Sequence, residues 1–312
     1  MLSSFFTSIV YFLEAYFALT VALFALSLRF PKFAFFARLL ASYISLIACA
    51  CYGVLVSILL RLVGYGRVSQ WATARSFKWV MRFTTGVQFV IEGEENLRTR
   101  PAVFIGNHQT ELDVLMLGAI FPPYCSVTAK KSLKNIPFLG WFMALSGTVF
   151  IDRANRQTAV AAFDGAAAEM QKYKQSVYIF PEGTRSYSSQ PDLLPFKKGA
   201  FHLAVKAKVP IVPIVVANYS NILHVQSRRF RAGSIPIKVL PPIPTAHLTS
   251  ADVEDLAKST RELMLTELKQ LTEKAREMGV SMSAEKAERM DGSAKSTAVE
   301  YGSNNKPIAQ AL

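Results

Sequence analysis

The chain has 312 residues, of which 51% are hydrophobic, with a mean hydropathy of +0.24 and a formal net charge of +13. Three cysteines give neither a disulfide framework nor a metal-ligand spacing, and with four histidines a zinc site is not expected. The charge is uneven: residues 1–250 carry 26 Lys/Arg against 11 Asp/Glu, and residues 251–312 carry 9 against 11. A basic body of this kind suits anionic headgroups or phosphorylated ligands. No basic helix, zinc module or RNA-binding signature makes nucleic acid an expected partner.

In chain order, the first feature is the hydrophobic run from Phe5 to Leu26, whose one charge is Glu14. The second, Leu39 to Leu60, carries no charge. Each is long enough to cross the hydrocarbon of a bilayer as a helix. A secretory signal competes for the first run, but no Lys or Arg precedes Phe5 and the run is too long. A buried helical hairpin competes for both. Membrane anchorage is the expectation, with spanning and insertion into one leaflet both open. Glu14 is costly in hydrocarbon, so it is expected to be protonated, paired or turned toward protein. Arg61, Arg67, Arg75, Lys78 and Arg82 follow, with Trp71, Phe77 and Trp79 among them. They read either as a cytosolic-side interfacial segment or as a soluble amphipathic helix.

Beyond residue 84 the pattern changes to an alternation. Strands are expected at 87–92, 102–107, 125–130, 148–153, 176–181, 210–218 and 235–240, all short and rich in Val, Ile and Phe. Helices are expected at 110–120, 137–146, 156–174 and 198–207. The alternation predicts an α/β fold with a mixed, largely parallel sheet flanked by helices, behind the N-terminal hydrophobic two-helix anchor. Residues 251–278 are spaced as one exposed amphipathic helix, and 279–312 read as a disordered tail. The expected divisions are therefore 1–84, 85–250, 251–278 and 279–312.

Chemistry gathers at strand ends. In "NHQTELD" (107–113), Thr110 and Asp113 are spaced as a capping box, which leaves His108 in the turn before a helix. From there His108 can reach Asp113, as a base and its partner or as a plain hydrogen-bonded cap. "FPEGTRS" (180–186) offers Gly183 for close backbone approach and Arg185 as a fork for phosphate, with Glu182 placed to orient that guanidinium. "TVFIDR" ends in Arg153, and Lys197 and Lys198 begin a helix. Strand ends on one edge of an α/β sheet converge on a common crevice. A hydrolase's Gly-x-Ser-x-Gly elbow is missing.

Taken together, "NHQTELD", "GTVFIDR" (147–153), "FPEGTRS" and "VPIVPIVV" (209–216), with the connecting "AKKSLKNIPFLGWFM", resemble the glycerolipid acyltransferase family. The likeness covers about residues 85–245 in order and spacing, and is greatest to its 1-acylglycerol-3-phosphate branch. It implies acyl transfer from acyl-CoA, as co-substrate and with no cofactor, to the sn-2 hydroxyl of lysophosphatidic acid. Another lysophospholipid or glycerol 3-phosphate is the alternative acceptor, and a non-catalytic lipid-binding protein is a distant one. It further implies His108 as general base and Asp113 as its partner. Arg153, Glu182, Gly183 and Arg185 would surround the glycerol phosphate, with Lys131 or Lys130 assisting. Membrane lipids are the expected surroundings, in the endoplasmic reticulum with the site facing the cytosol, or in a bacterial inner membrane.

Overall fold

The computed structural model describes residues 2–152 and 155–277. The expected tail at 279–312 and Arg153 lie outside the described residues. Two long helices open the chain: α1 (Leu2–Arg29) and α2 (Phe33–Leu62), turned by Phe30, Pro31 and Lys32. Helix α3 (Ser69–Thr85) leads into the α/β body. The body's strands are β1 (Val87–Glu92), β2 (Val103–Gly106), β3 (Cys125–Lys130), β4 (Val149–Ile151), β5 (Ser176–Ile179), β6 (Ile211–Val216), β7 (Leu223–His224), β8 (Arg229–Phe230) and β9 (Gly233–Val239). Its helices are α4 (Asp113–Ile120), α5 (Leu139–Leu145), α6 (Arg156–Tyr173) and α7 (Gly199–Ala207), followed by α8 over residues 253–277.

Seven strands form one sheet in the order β1-β9-β6-β2-β5-β3-β4. The five from β6 to β4 are mutually parallel; β1 and β9 pair parallel with each other and run against β6. This is the expected mixed, largely parallel sheet. Period-two alternation splits each central strand between two cores. Phe104, Tyr178, Val212 and Ile214 face α2, α3 and α4, whereas Val103, Ile105, Val177, Ile179 and Val215 face α6, α7 and α8. Strands buried on both faces read as continuous apolar runs, which is why the seven main strands were visible in sequence. The short β7–β8 hairpin was not, because two-residue strands carry no period.

Helix α8 differs from its expectation as an exposed helix. Its apolar stripe (Val253, Leu256, Ala257, Met264, Leu268 and Leu271) is buried in the second core. The basic residues from Arg61 to Arg82 also turn back onto the body in part. Arg75 donates to the carbonyls of Ala119 and Phe121, which end α4 without helical partners. Arg61 Nε donates to Leu145 O, and Arg67 stacks on Tyr173. The Trp79 side, with Lys78 and Arg82 at its ring, stays exposed.

Helices α1 and α2 are both long and apolar enough to cross a membrane. They differ in their partners. Tyr16 of α1 donates to Leu40 O on α2, and most of the remaining described α1 surface faces outward. Helix α2 instead seats on the body along its length. Arg38 donates to Thr85 O, Ser45 bonds Thr84, Gly53 sits against Phe142 and Thr73, and Arg61 closes the far end. The spacing of its buried small residues Ala37, Ala41, Ser45, Cys49, Gly53 and Ser57 gives the close approach. Glu14 is exposed on α1 and forms no ion pair among the described residues, so pairing and burial against protein are not met.

Candidate active site

The site is built where β2 ends. Asn107 begins the loop, and its side chain behaves as an extra ladder rung. Its Nδ2 donates to Val216 O (3.0 Å) and its Oδ1 accepts from Val216 N (2.9 Å) at the end of β6. Gln109 Nε2 donates to the carbonyls of Val216 and Ala217, both at 3.1 Å. These buried amides fix the main chain on either side of His108. Gly106, just upstream, has no alternative: a Cβ there would stand 1.9 Å from the Tyr178 hydroxyl.

The His108 and Asp113 side chains meet directly. His108 Nδ1 lies 2.7 Å from Asp113 Oδ2, in a pair whose side chains are 15% and 0% exposed. The same Oδ2 accepts from the N–H of Gln109 (2.6 Å) and Thr110 (3.1 Å), and Oδ1 accepts from the Tyr219 hydroxyl (2.7 Å). Four donors thus converge on one carboxylate, which is held as an acceptor at both oxygens. Burial first, and the Asp113 charge second, push the Tyr219 hydroxyl well above its usual range, so it remains a donor. Thr110 to Asp113 keeps half the expected capping box, since Asp113 reaches back to the Thr110 N–H. The regular helix starts at Asp113 rather than Thr110, because Thr110 Oγ1 accepts from Leu112 N and holds 110–112 as a turn. The imidazole is also stacked on Phe180, with centroids 4.0 Å apart and planes at 18°.

From β5, the segment Phe180–Ser186 runs alongside. Ser186 N donates to His108 O (2.9 Å) and Tyr187 N to Gln109 O (3.0 Å), so the two loops pair as a short ribbon. Gly183 takes the left-handed φ of 72° that side chains rarely adopt. Arg185 is held by Glu111 (Nη1 to Oε1, 3.1 Å) and Tyr187 (3.4 Å), and Tyr187 itself donates to Glu111 at 2.7 Å. Arg185 Nε is buried without a hydrogen-bond partner among the described residues.

Glu182 does not orient Arg185, as the sequence suggested. Its carboxylate is turned inward, 3% exposed, and accepts from the main-chain N–H groups of His108 (2.6 Å) and Leu194 (2.8 Å). The turn at Gly183 sends residues 182 and 185 to opposite sides, leaving Glu111 to hold the guanidinium. Lys198 stands at the start of α7, as expected, and its ammonium pairs with Glu254 on α8. Lys131 and Asp152, at the ends of β3 and β4, pair at 3.3 Å on the same sheet edge as His108. Two strand spacings, about 10 Å, separate β3 from β2. Glu111, Tyr187, Tyr219 and Gln109 were not singled out from sequence. Glu111 lies inside the first motif and had a charge to declare it; Tyr219 follows β6 in a stretch with no local signal.

The acyltransferase family model matches residues 88–217, the span that holds His108, Asp113, Glu182 and Arg185. The chain is 46% identical over 240 residues to the 1-acyl-sn-glycerol-3-phosphate acyltransferase of Saccharomyces cerevisiae, covering 77% of this chain and 79% of the yeast protein. It is 37% identical over 193 residues to the human 1-acyl-sn-glycerol-3-phosphate acyltransferase alpha, covering 62% and 68%. In fold it is similar to the crystal structure of the 1-acyl-sn-glycerophosphate (LPA) acyltransferase PlsC from Thermotoga maritima. That match has a TM-score of 0.59 at 23% identity and covers 76% of this chain and 94% of the other.

Proposed function

The chain belongs to the acyltransferase family, alongside the 1-acyl-sn-glycerol-3-phosphate acyltransferases, and from that premise we propose that it moves a fatty acyl group from acyl-CoA to the sn-2 hydroxyl of lysophosphatidic acid. The observation that carries the reading is the His108–Asp113 pair. With Nδ1–H donated to Asp113, the lone pair sits on Nε2, the nitrogen left to meet a substrate. The acceptor hydroxyl gives its proton to Nε2 as its oxygen attacks the thioester carbonyl carbon. The C–S bond then breaks, and the proton passes from the imidazolium to the departing thiolate, giving the ester and free CoA. A base so placed contributes about 10²–10⁴-fold. Asp113 holds the tautomer and offsets the imidazolium charge.

Arg185 is the proposed phosphate ligand. Its side chain is 36% exposed and presents a guanidinium fork suited to phosphate oxygens, which Glu111 and Tyr187 hold still. Gly183 lets the main chain stand close to that phosphate. Arg153 keeps its expected place beside the phosphate, and Lys131, on the same edge, its assisting role, as part of this proposal. An assay with purified protein, oleoyl-CoA and lysophospholipids of different headgroup tests the acceptor. Lysophosphatidic acid should be preferred, and Arg185→Ala should raise its KM about 10–100-fold while leaving that of acyl-CoA near wild type. An unchanged lysolipid KM would make Arg185 a structural residue.

The same proposal places the protein at a membrane, by one leaflet. From Arg38 to Arg61, α2 is seated on the body over about 35 Å, more than the ~30 Å of bilayer hydrocarbon. A helix with one face seated on an α/β domain over that length has no stretch that lipid could surround on all sides. The outward faces of α1 and α2 meet the acyl chains, while the Trp79 side of α3 lies at the headgroups. Membrane lipids are thus the surroundings in which lysolipid and product move. The endoplasmic reticulum, with the site facing the cytosol, is the proposed location.

A further inference from the structure

We infer that Glu182 is a positioning residue that fixes the main chain of His108, and that it does not bind the substrate phosphate. Its two oxygens are already engaged: Oε1 accepts from His108 N–H and Oε2 from Leu194 N–H. A carboxylate 3% exposed and turned away from Arg185 has no surface to offer a substrate, and its charge would repel a phosphate. The clamp also continues outward. Arg261 of α8 donates to the carbonyls of Leu193 and Leu194, so the segment that receives Glu182 is tied to the C-terminal helix. A continuous run of bonds therefore joins α8, Leu194, Glu182 and the amide of His108. Phe180, two residues before Glu182, fixes the imidazole plane, and Glu182 fixes the backbone that carries it.

The clamp is sensitive to protonation. Both of its donors are N–H groups, which the ionised carboxylate meets with two strong acceptors and the acid with one strong and one weak. Desolvation pushes the Glu182 pKa up to about 7; the two amide bonds pull down, Asp113 pushes further up, and Arg261 pulls down. Those are the groups it faces: the His108 and Leu194 amides, Asp113 on α4 and Arg261 on α8. Near neutral pH the base must be unprotonated and the clamp ionised at the same time.

The inference rests on the acyl-transfer reading of His108, and the test separates the two. Acyl transfer is measured from about pH 5.5 to 8.5 in wild type, Glu182→Gln and His108→Ala. The acid limb of log kcat should be steeper in wild type than in Glu182→Gln, which has no carboxyl to protonate at that position. The Gln variant keeps one acceptor, so kcat should drop about 10–100-fold with both KM values within about twofold. A lysolipid KM raised tenfold at unchanged kcat would make Glu182 a substrate ligand and overturn the inference. Should the Gln variant fail to fold, Glu182→Asp is read in the same way, and a raised lysolipid KM at unchanged kcat there would overturn the inference as well. Full activity in His108→Ala would sink the acyl-transfer reading itself, whatever Glu182 does.

Discussion

A buried carboxylate that stays charged for function imposes a cost on stability, and at Glu182 the sign can be worked out. Its folded pKa of about 7 lies above the ordinary 4.5, so between those values the folded state binds more protons than the unfolded one. Stability from this group is therefore greatest below about pH 4.5 and declines as pH rises through 7. The decline should amount to roughly 2–3 kcal/mol. Thermal unfolding in detergent between about pH 5 and 8 should show wild type losing stability that Glu182→Gln does not lose. Parallel curves would mean that Glu182 carries no buried charge. At this scale the sequence was half legible. His108 and Asp113 announced themselves by type and spacing, because a helix start brings the two side chains together locally. Glu182 was misjudged because its direction depends on a left-handed turn at Gly183 and on two amides 74 and 12 residues away.

Among elements, the strands were the legible part. Buried parallel strands leave unbroken apolar runs, and all seven expected strands pair within one sheet. Amphipathic spacing in α8 was equally clear, but spacing alone does not say whether the apolar stripe finds a partner; in the fold it does. The apolar pair α1 and α2 posed the reverse problem. Length and composition allow two spans, and only the contacts of α2 with α3, α5 and the end of β8 argue for one leaflet. That argument is checkable by labelling. With Cys49, Cys51 and Cys125 replaced, Lys32→Cys at the hairpin turn should react with an impermeant thiol reagent only from the side that holds the catalytic body. Labelling from the opposite side alone would show that α1 and α2 cross the bilayer.

At the scale of the molecule, the sheet brings the ends of β2, β5, β3 and β4 to one edge, and the two cores hold that edge rigid from both faces. The C-terminal helix belongs to this body. Its five buried Val, Leu and Met side chains, at about 1.5–3 kcal/mol each, match the whole stability of a typical domain. Ending the chain after residue 250 should therefore yield unfolded or aggregated protein, read by circular dichroism and gel filtration. A folded, active product would show that α8 is an accessory. Everything functional nonetheless converges on one nitrogen. The decisive measurement is acyl transfer from oleoyl-CoA to lysophosphatidic acid by His108→Ala, purified and shown to be folded and membrane-bound like wild type. A fall of kcat by about 10²–10⁴-fold is the predicted result. Wild-type turnover in that variant would contradict the account.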